Sequence, residues 1–291
     1  MNVHDPGGLP VPCNAQIDGR HVSWMDAGPE DAPPVVLLHG GGLDRASLSW
    51  RLLMPELART HRVIAPDWPG HGDSAGLNRP FVIADLGAWL LDVLDHLAVP
   101  KADFVGISMG AGVALWLGLH HPDRVHRIVA AGAYGLHDRA PAHPLSWLAT
   151  RLPLAPLGMH LVGGNRWLVQ QAVSTLFARP DRVSDDLIDE MLETLKAPRA
   201  GDAFADFQRG EIGPGSLHTV LTPQLPLLAA TVLFLHGRED GLVPLSAVET
   251  AARACPQGRL QVLDTGHWPM RESPAEFNRL TADFLADPTP A

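Results

Sequence analysis

At 291 residues the chain can bury one large α/β core together with an insertion or a small second domain. Its 46% hydrophobic and 19% charged content suits a globular protein in water, and a formal net charge of −10 argues against a nucleic-acid-binding surface. No stretch reaches the roughly 20 apolar residues that span a membrane, and Met1 to Gly7 shows neither the cationic start nor the apolar run of a leader. A cytoplasmic location is the expectation. Cys13 and Cys255 lie far apart with no metal or redox spacing, and are expected as free thiols.

In chain order, residues 1 to 13 are rich in Gly and Pro and read as a loose tail. His21 to Asp26 alternates as an edge strand does, and a Gly-Pro, Pro-Pro loop follows. Val35 to Leu38 reads as a buried strand that ends in His39-Gly40-Gly41-Gly42. Successive glycines just after a strand leave backbone N–H groups uncovered, as an oxyanion site requires. A short helix is expected over Ser49–Arg59 and a strand over Arg62–Ala65, followed by the dense turn Asp67 to Ser74. His71, between two glycines there, is expected to fix the turn by hydrogen bonds rather than act in catalysis. A helix from Val82 to Leu97 leads to a strand through Phe104, Val105 and Ile107, then to a helix from Met109 to Leu119. Ser108 stands at that joint, inside Gly106-Ile107-Ser108-Met109-Gly110. A strand that turns at once into a helix exposes the hydroxyl on a strained turn, and glycines two residues either side give the turn room. The helix N-terminus also favours a developing anion.

Val125 to Ala130 is the next strand. Short connections between alternating strands and helices mean a mostly parallel sheet covered on both faces. From Gly135 to Leu225 the periodicity is helical, with no convincing strand. Trp167, Leu168, Gln171, Ala172, Thr175 and Leu176 are expected on one face with Asn165 as N-cap. Leu187, Ile188, Met191, Leu192 and Leu195 are expected on another, with Ser184 as cap and Asp185 and Asp186 in the first turn. The sheet pattern resumes at Thr231–Leu235 and Leu260–Leu263, and a last helix runs from Pro274 to Leu285.

A serine hydroxyl needs a base within hydrogen-bond reach, and the base needs an orienting partner. Fifteen histidines compete, so position must decide. His267, in Gly266-His267-Trp268 directly after the last strand, falls on the side of the sheet where Ser108 emerges. The acid should also follow a strand, and Gly237-Arg238-Glu239-Asp240-Gly241 offers two carboxylates. Asp240 is preferred because the Gly241 turn follows it, whereas Glu239 can simply point to solvent. His236, in line with a strand, is expected to be structural. The order Ser108, Asp240, His267 is the one that follows a nucleophile elbow.

Taken jointly, His39 to Gly42, Gly70 to Ser74, Gly106 to Gly110, Gly237 to Pro244, and Gly266-His267 with Glu272, Pro274 and Phe277 resemble the α/β-hydrolase family over residues 20–286. The resemblance implies a mostly parallel eight-stranded sheet with helices on both faces. It also implies core segments at 1–134 and 226–291 and a helical cap at 135–225. An oxyanion hole is expected from the N–H groups of Met109 and Gly41, with Gly40, Gly42, Ile107 and Trp268 in the substrate pocket. Acyl chemistry on Ser108 needs no cofactor and no metal. The expected partner is a small-molecule substrate, with no nucleic acid and no membrane, and a homo-oligomer stays open. Gly266-His267-Trp268 and Phe277-Asn278 resemble the carbon–carbon hydrolases of aromatic ring-fission products. Those enzymes carry Asn where this chain has Ile107, and a cap Arg for which Arg166 and Arg199 are the candidates. A small-ester or lactone hydrolase is therefore preferred, with the carbon–carbon hydrolase as alternative. A small-molecule receptor or a cofactor-free lyase or oxygenase on the same fold is a further alternative.

Overall fold

The computed structural model describes residues 8–152, 165–197 and 201–287. Eight strands form one sheet: β1 Cys13–Ile17, β2 Arg20–Ala27, β3 Pro34–Leu38, β4 Arg62–Pro66, β5 Ala102–Ile107, β6 Val125–Ala131, β7 Thr231–Gly237 and β8 Gly258–Leu263. Their order is β1-β2-β4-β3-β5-β6-β7-β8. The β1–β2 and β2–β4 pairs are antiparallel, and every pair from β4 to β8 is parallel. Leu38 pairs with Gly106 and Ile107 with Ala131, so β3, β5 and β6 end together beside Ser108.

Among the described residues the α-helices are α1 Ala46–Ser49, α2 Met54–Leu57, α3 Ile83–His96, α4 Met109–His120, α5 His143–Thr150, α6 Arg166–Ser174, α7 Asp185–Leu195, α8 Asp202–Glu211, α9 Leu245–Ala254, α10 Pro269–Glu272 and α11 Pro274–Ala286. The strands present alternate residues to two cores, as a period of two requires. Val36, Leu38, Phe104, Ile128 and Ala130 pack with α3, α4 and α9 on one face. Val35, Leu37, Val105, Ile107 and Val129 pack with α1, α2 and α11 on the other. Among the described residues no helix is long and apolar enough to cross a membrane. Cys13 is exposed, Cys255 is buried, and both are free.

Four expectations need correction. The tail is shorter than expected: Leu9 is buried in a core and β1 begins at Cys13. For the same reason the His21–Asp26 strand is not the edge, because β1 pairs along it. Its mixed sequence, Cys-Asn-Ala-Gln-Ile, carries little apolar signal of its own. The Ser49–Arg59 helix is two short ones, broken at Trp50 to Leu53 and restarted with Pro55 in the first turn of α2, where its missing N–H costs nothing. In α6 the buried stripe is Val169 and Val173, and Trp167 is 63% exposed. Two apolar stripes overlap on that helix, and contact with α7 selects the valine one. The helix caps are the expected ones: Asn165 accepts from the N–H groups of Trp167 and Leu168, and Ser184 from Leu187.

Candidate active site

Ser108 has φ 52° and ψ −115°, a conformation that L-residues adopt at a cost of about 1–3 kcal/mol. The surroundings hold it there. Its N–H donates to the Ala131 carbonyl at 2.9 Å, and its carbonyl accepts from Gly112 and Tyr134, both at 3.0 Å. The flanking glycines are close-approach positions. A Cβ on Gly106 would lie 2.6 Å from the Ala111 nitrogen, and one on Gly110 would lie 2.2 Å from the Leu38 carbonyl oxygen. Helix α4 thus packs directly on β5 and on the end of β3, which brings its N-terminus against the glycine loop.

His267 and Asp240 meet from the ends of β8 and β7. The His267 Nδ1 lies 2.8 Å from Asp240 Oδ2. The other oxygen, Oδ1, accepts from the N–H groups of Leu242 at 2.8 Å and Val243 at 2.9 Å, so the carboxylate is locked by its own turn. Burial by itself raises the Asp240 pKa. The hydrogen bond and charge of His267, together with those two N–H groups, outweigh it and leave the acid below its ordinary value. Glu239 is exposed. Asp240 as His267 Nδ1 partner leaves Nε2 as the nitrogen open to a serine. The imidazole lies beside the end of β6: a Cβ on Gly132, next to Ala131, would lie 2.9 Å from His267 Cε1. His236 is wholly buried, bonded through Nε2 to the Val243 carbonyl at 3.0 Å, with Nδ1 3.8 Å from Asp240.

The glycine loop after β3 is pinned by three side chains. His39 Nε2 accepts from the Trp68 N–H at 3.0 Å, so Nδ1 donates to the Gly40 carbonyl at 2.8 Å and the ring is neutral. Burial holds the His39 pKa well below its ordinary value, in agreement. Asp44 Oδ2 accepts from the Gly40 N–H at 2.7 Å and from the Ser49 hydroxyl at 2.6 Å. That spends the Gly40 donor on Asp44, and Gly41 and Gly42 follow it in the loop beside Met109 at the start of α4. A Cβ on Gly41 would lie 2.8 Å from the Phe204 ring and 3.7 Å from Met109 Sδ. Phe204 of α8 therefore roofs this loop. Gly42 borders a cavity of about 650 Å³ shared with Leu43, His71, Phe81 and Ala203. His71 is buried in its turn, with Nδ1 3.3 Å from the Pro69 carbonyl, and burial lowers its pKa to about 4. Ile107 and Trp268 are both buried in the core on the α11 face.

Asp67 completes the support by accepting from the Ala46 N–H at 2.9 Å. Burial raises the pKa of Asp44 and of Asp67 to about 6. The sign follows from linkage: a folded pKa above the ordinary value means that stability is fully present below about pH 4 and is lost as pH rises through about 6. Asp67→Asn keeps an acceptor for Ala46 and removes the buried charge. It should be more stable than the parent at pH 7.5, by at most about 3 kcal/mol, with the gain fading towards pH 4.5. Urea titrations of both proteins at the two pH values check this; a pH-independent difference would contradict it.

Sequence reasoning missed Asp44, Asp67 and Phe204. The first two left a faint signal, an acid a few residues beyond each strand end. Phe204 left none, since its partner Gly41 is remote in sequence. Of the arginines considered, Arg166 is paired with Asp185 and Asp189 on an exposed surface, and Arg199 lies outside the described residues. Asn278 is 2% exposed and donates to the Leu52 carbonyl at 2.7 Å, so it serves packing.

A sheet of this order, an elbow serine at its centre and a His–Asp pair at the ends of the last two strands define the class, and the chain belongs to the α/β-hydrolase fold family. The family model described as alpha/beta hydrolase fold matches residues 33–157. A relative, the 2-hydroxymuconate semialdehyde hydrolase of Pseudomonas sp. (strain CF600), is 33% identical over 270 residues, covering 87% of each chain. Among solved structures, the 2-hydroxy-6-oxo-6-phenylhexa-2,4-dienoate hydrolase from Rhodococcus sp. strain RHA1 matches with TM-score 0.78 and 25% identity, covering 95% of this chain and 99% of that one. The enol-lactonase from Burkholderia xenovorans LB400 shares the fold at TM-score 0.79 and 22% identity, covering 94% of this chain and 100% of that one.

Proposed function

We propose that this hydrolase cleaves a small carboxylic ester or lactone through an acyl-enzyme on Ser108, under a cap formed by residues 135–225. The Ser108 hydroxyl attacks the carbonyl carbon while His267 Nε2 takes its proton, and Asp240 stabilises the imidazolium. The oxyanion is met by the N–H groups of Gly41 and Met109. Collapse expels the alcohol, which takes the proton from His267. Water then repeats the sequence on the acyl-enzyme and releases the acid.

The observation that carries this reading is the apolar wall on one side of the glycine loop, with Phe204 over Gly41 beside Met109. An ester brings its own leaving group and needs little else. A ring-fission dienoate must first become ketonic so that a carbanion equivalent can leave, which calls for a positioned cation and polar contacts. Here Arg166 is held by two aspartates. The second reading, a carbon–carbon hydrolase, is supported by Trp268 and by the relatives named for such substrates.

Specificity constants for p-nitrophenyl butyrate and a phenyl-substituted 2-hydroxy-6-oxo-dienoate, measured on one preparation, separate the two. The ester constant is expected to be the higher. A dienoate constant tenfold higher, about 1.4 kcal/mol in transition-state binding, would replace this reading by the second.

A further inference from the structure

The loop that bears His267 is tied to the helical segment between β6 and β7 as well as to the sheet. The His267 N–H donates to the Leu176 carbonyl at 2.7 Å, and the Trp268 N–H donates to the same oxygen at 3.3 Å. The residue just before the imidazole is held by a carboxylate. Glu272, 5% exposed, accepts from the Gly266 N–H at 2.7 Å through Oε2. The same oxygen accepts from Ala178 at 3.0 Å, and Oε1 accepts from the Arg179 N–H at 2.8 Å. All three partners are donors, so the site suits a carboxylate with both oxygens accepting. Gly266 is a close-approach position: a Cβ there would lie 2.5 Å from the Leu176 carbonyl oxygen and 2.8 Å from the Ala178 nitrogen.

We infer that Glu272 is a positioning residue: by joining residues 178 and 179 to Gly266 it fixes where His267 stands. Three charge-assisted bonds from two separate segments meet on one buried group, so their loss frees both segments at once. The segment between β6 and β7 thereby helps to hold the base. A displacement of the imidazole on the order of 1 Å is enough to cost about 10²-fold in rate. The inference rests on the reading of His267 as the general base.

Glu272→Gln tests it, since the amide nitrogen would face N–H donors. Steady-state ester hydrolysis well below the melting temperature should show kcat lowered at least tenfold with KM within threefold. The low-field proton resonance of His267 Nδ1, identified by its loss in His267→Ala, should shift or broaden. A loss of stability alone would move neither. A kcat within tenfold of the parent, a change confined to KM, or an unmoved resonance would each overturn the inference. Should Glu272→Gln fail to fold, Gly266→Ala decides by the same measurements, because its Cβ forces the two segments apart. If His267→Ala itself stays active, the reading of the base has failed. If it is inactive and Glu272→Gln is unimpaired, the positioning role alone has failed.

Discussion

Replacing Ser108 by alanine is expected to lower kcat/KM for an ester by about 10⁴–10⁶-fold while leaving the protein folded, with residual turnover from the oxyanion donors. The size of the loss follows from the roles assigned: without the hydroxyl, His267 has no proton to take and no acyl-enzyme forms. Glycine at the same position should be equally inactive but more stable. With φ 52° and ψ −115°, residue 108 occupies a conformation that a Cβ penalises and that glycine reaches freely. Ser108→Gly should therefore exceed Ser108→Ala by about 1 kcal/mol, or about 2 °C in Tm for a chain of this size. Calorimetry and ester assays on both variants check the two halves separately. Equal melting temperatures would show an unstrained turn, and near-parental hydrolysis would remove Ser108 as nucleophile.

Asp240→Asn is expected to cost about 10⁴-fold in kcat, and Glu239→Gln no more than about threefold. The hydrogen-bond geometry says why the amide cannot substitute. Oδ1 of Asp240 accepts two backbone N–H groups, so an asparagine would keep its oxygen on that side. Its NH₂ would then face His267 Nδ1, where the carboxylate now accepts at 2.8 Å. The imidazole would switch to the tautomer protonated on Nε2, which cannot take the serine proton. Glu239, pointing to solvent, has no such lever. Assays of the two variants with p-nitrophenyl butyrate give the ranking, and a reversal would transfer the acid role to Glu239.

Much was legible in the residues themselves. Runs such as Val35–Leu38 and Val125–Ala130, each followed by a helical period, specify a covered parallel sheet because periodicity reports burial directly. The Gly106–Gly110 spacing located the strand-to-helix turn, and the end of each later strand located Asp240 and His267, because these signals lie within a few residues of the groups they position. Local pattern has no access to contacts made across the fold. It could not show that polar Cys13–Ile17 pairs along β2, since a strand of such composition is defined by its neighbour. Nor could it choose the Val169–Val173 stripe of α6 over the one with Trp167, because two stripes of similar hydropathy are distinguished by what packs against them. The Phe204 roof over Gly41 and the hold of Glu272 on Ala178 and Arg179 are likewise tertiary. Sequence determined which groups stand at the strand ends. The packing of the segment between β6 and β7 onto those ends decided how they are held, because an amide or a ring finds its partner by distance in space and not along the chain.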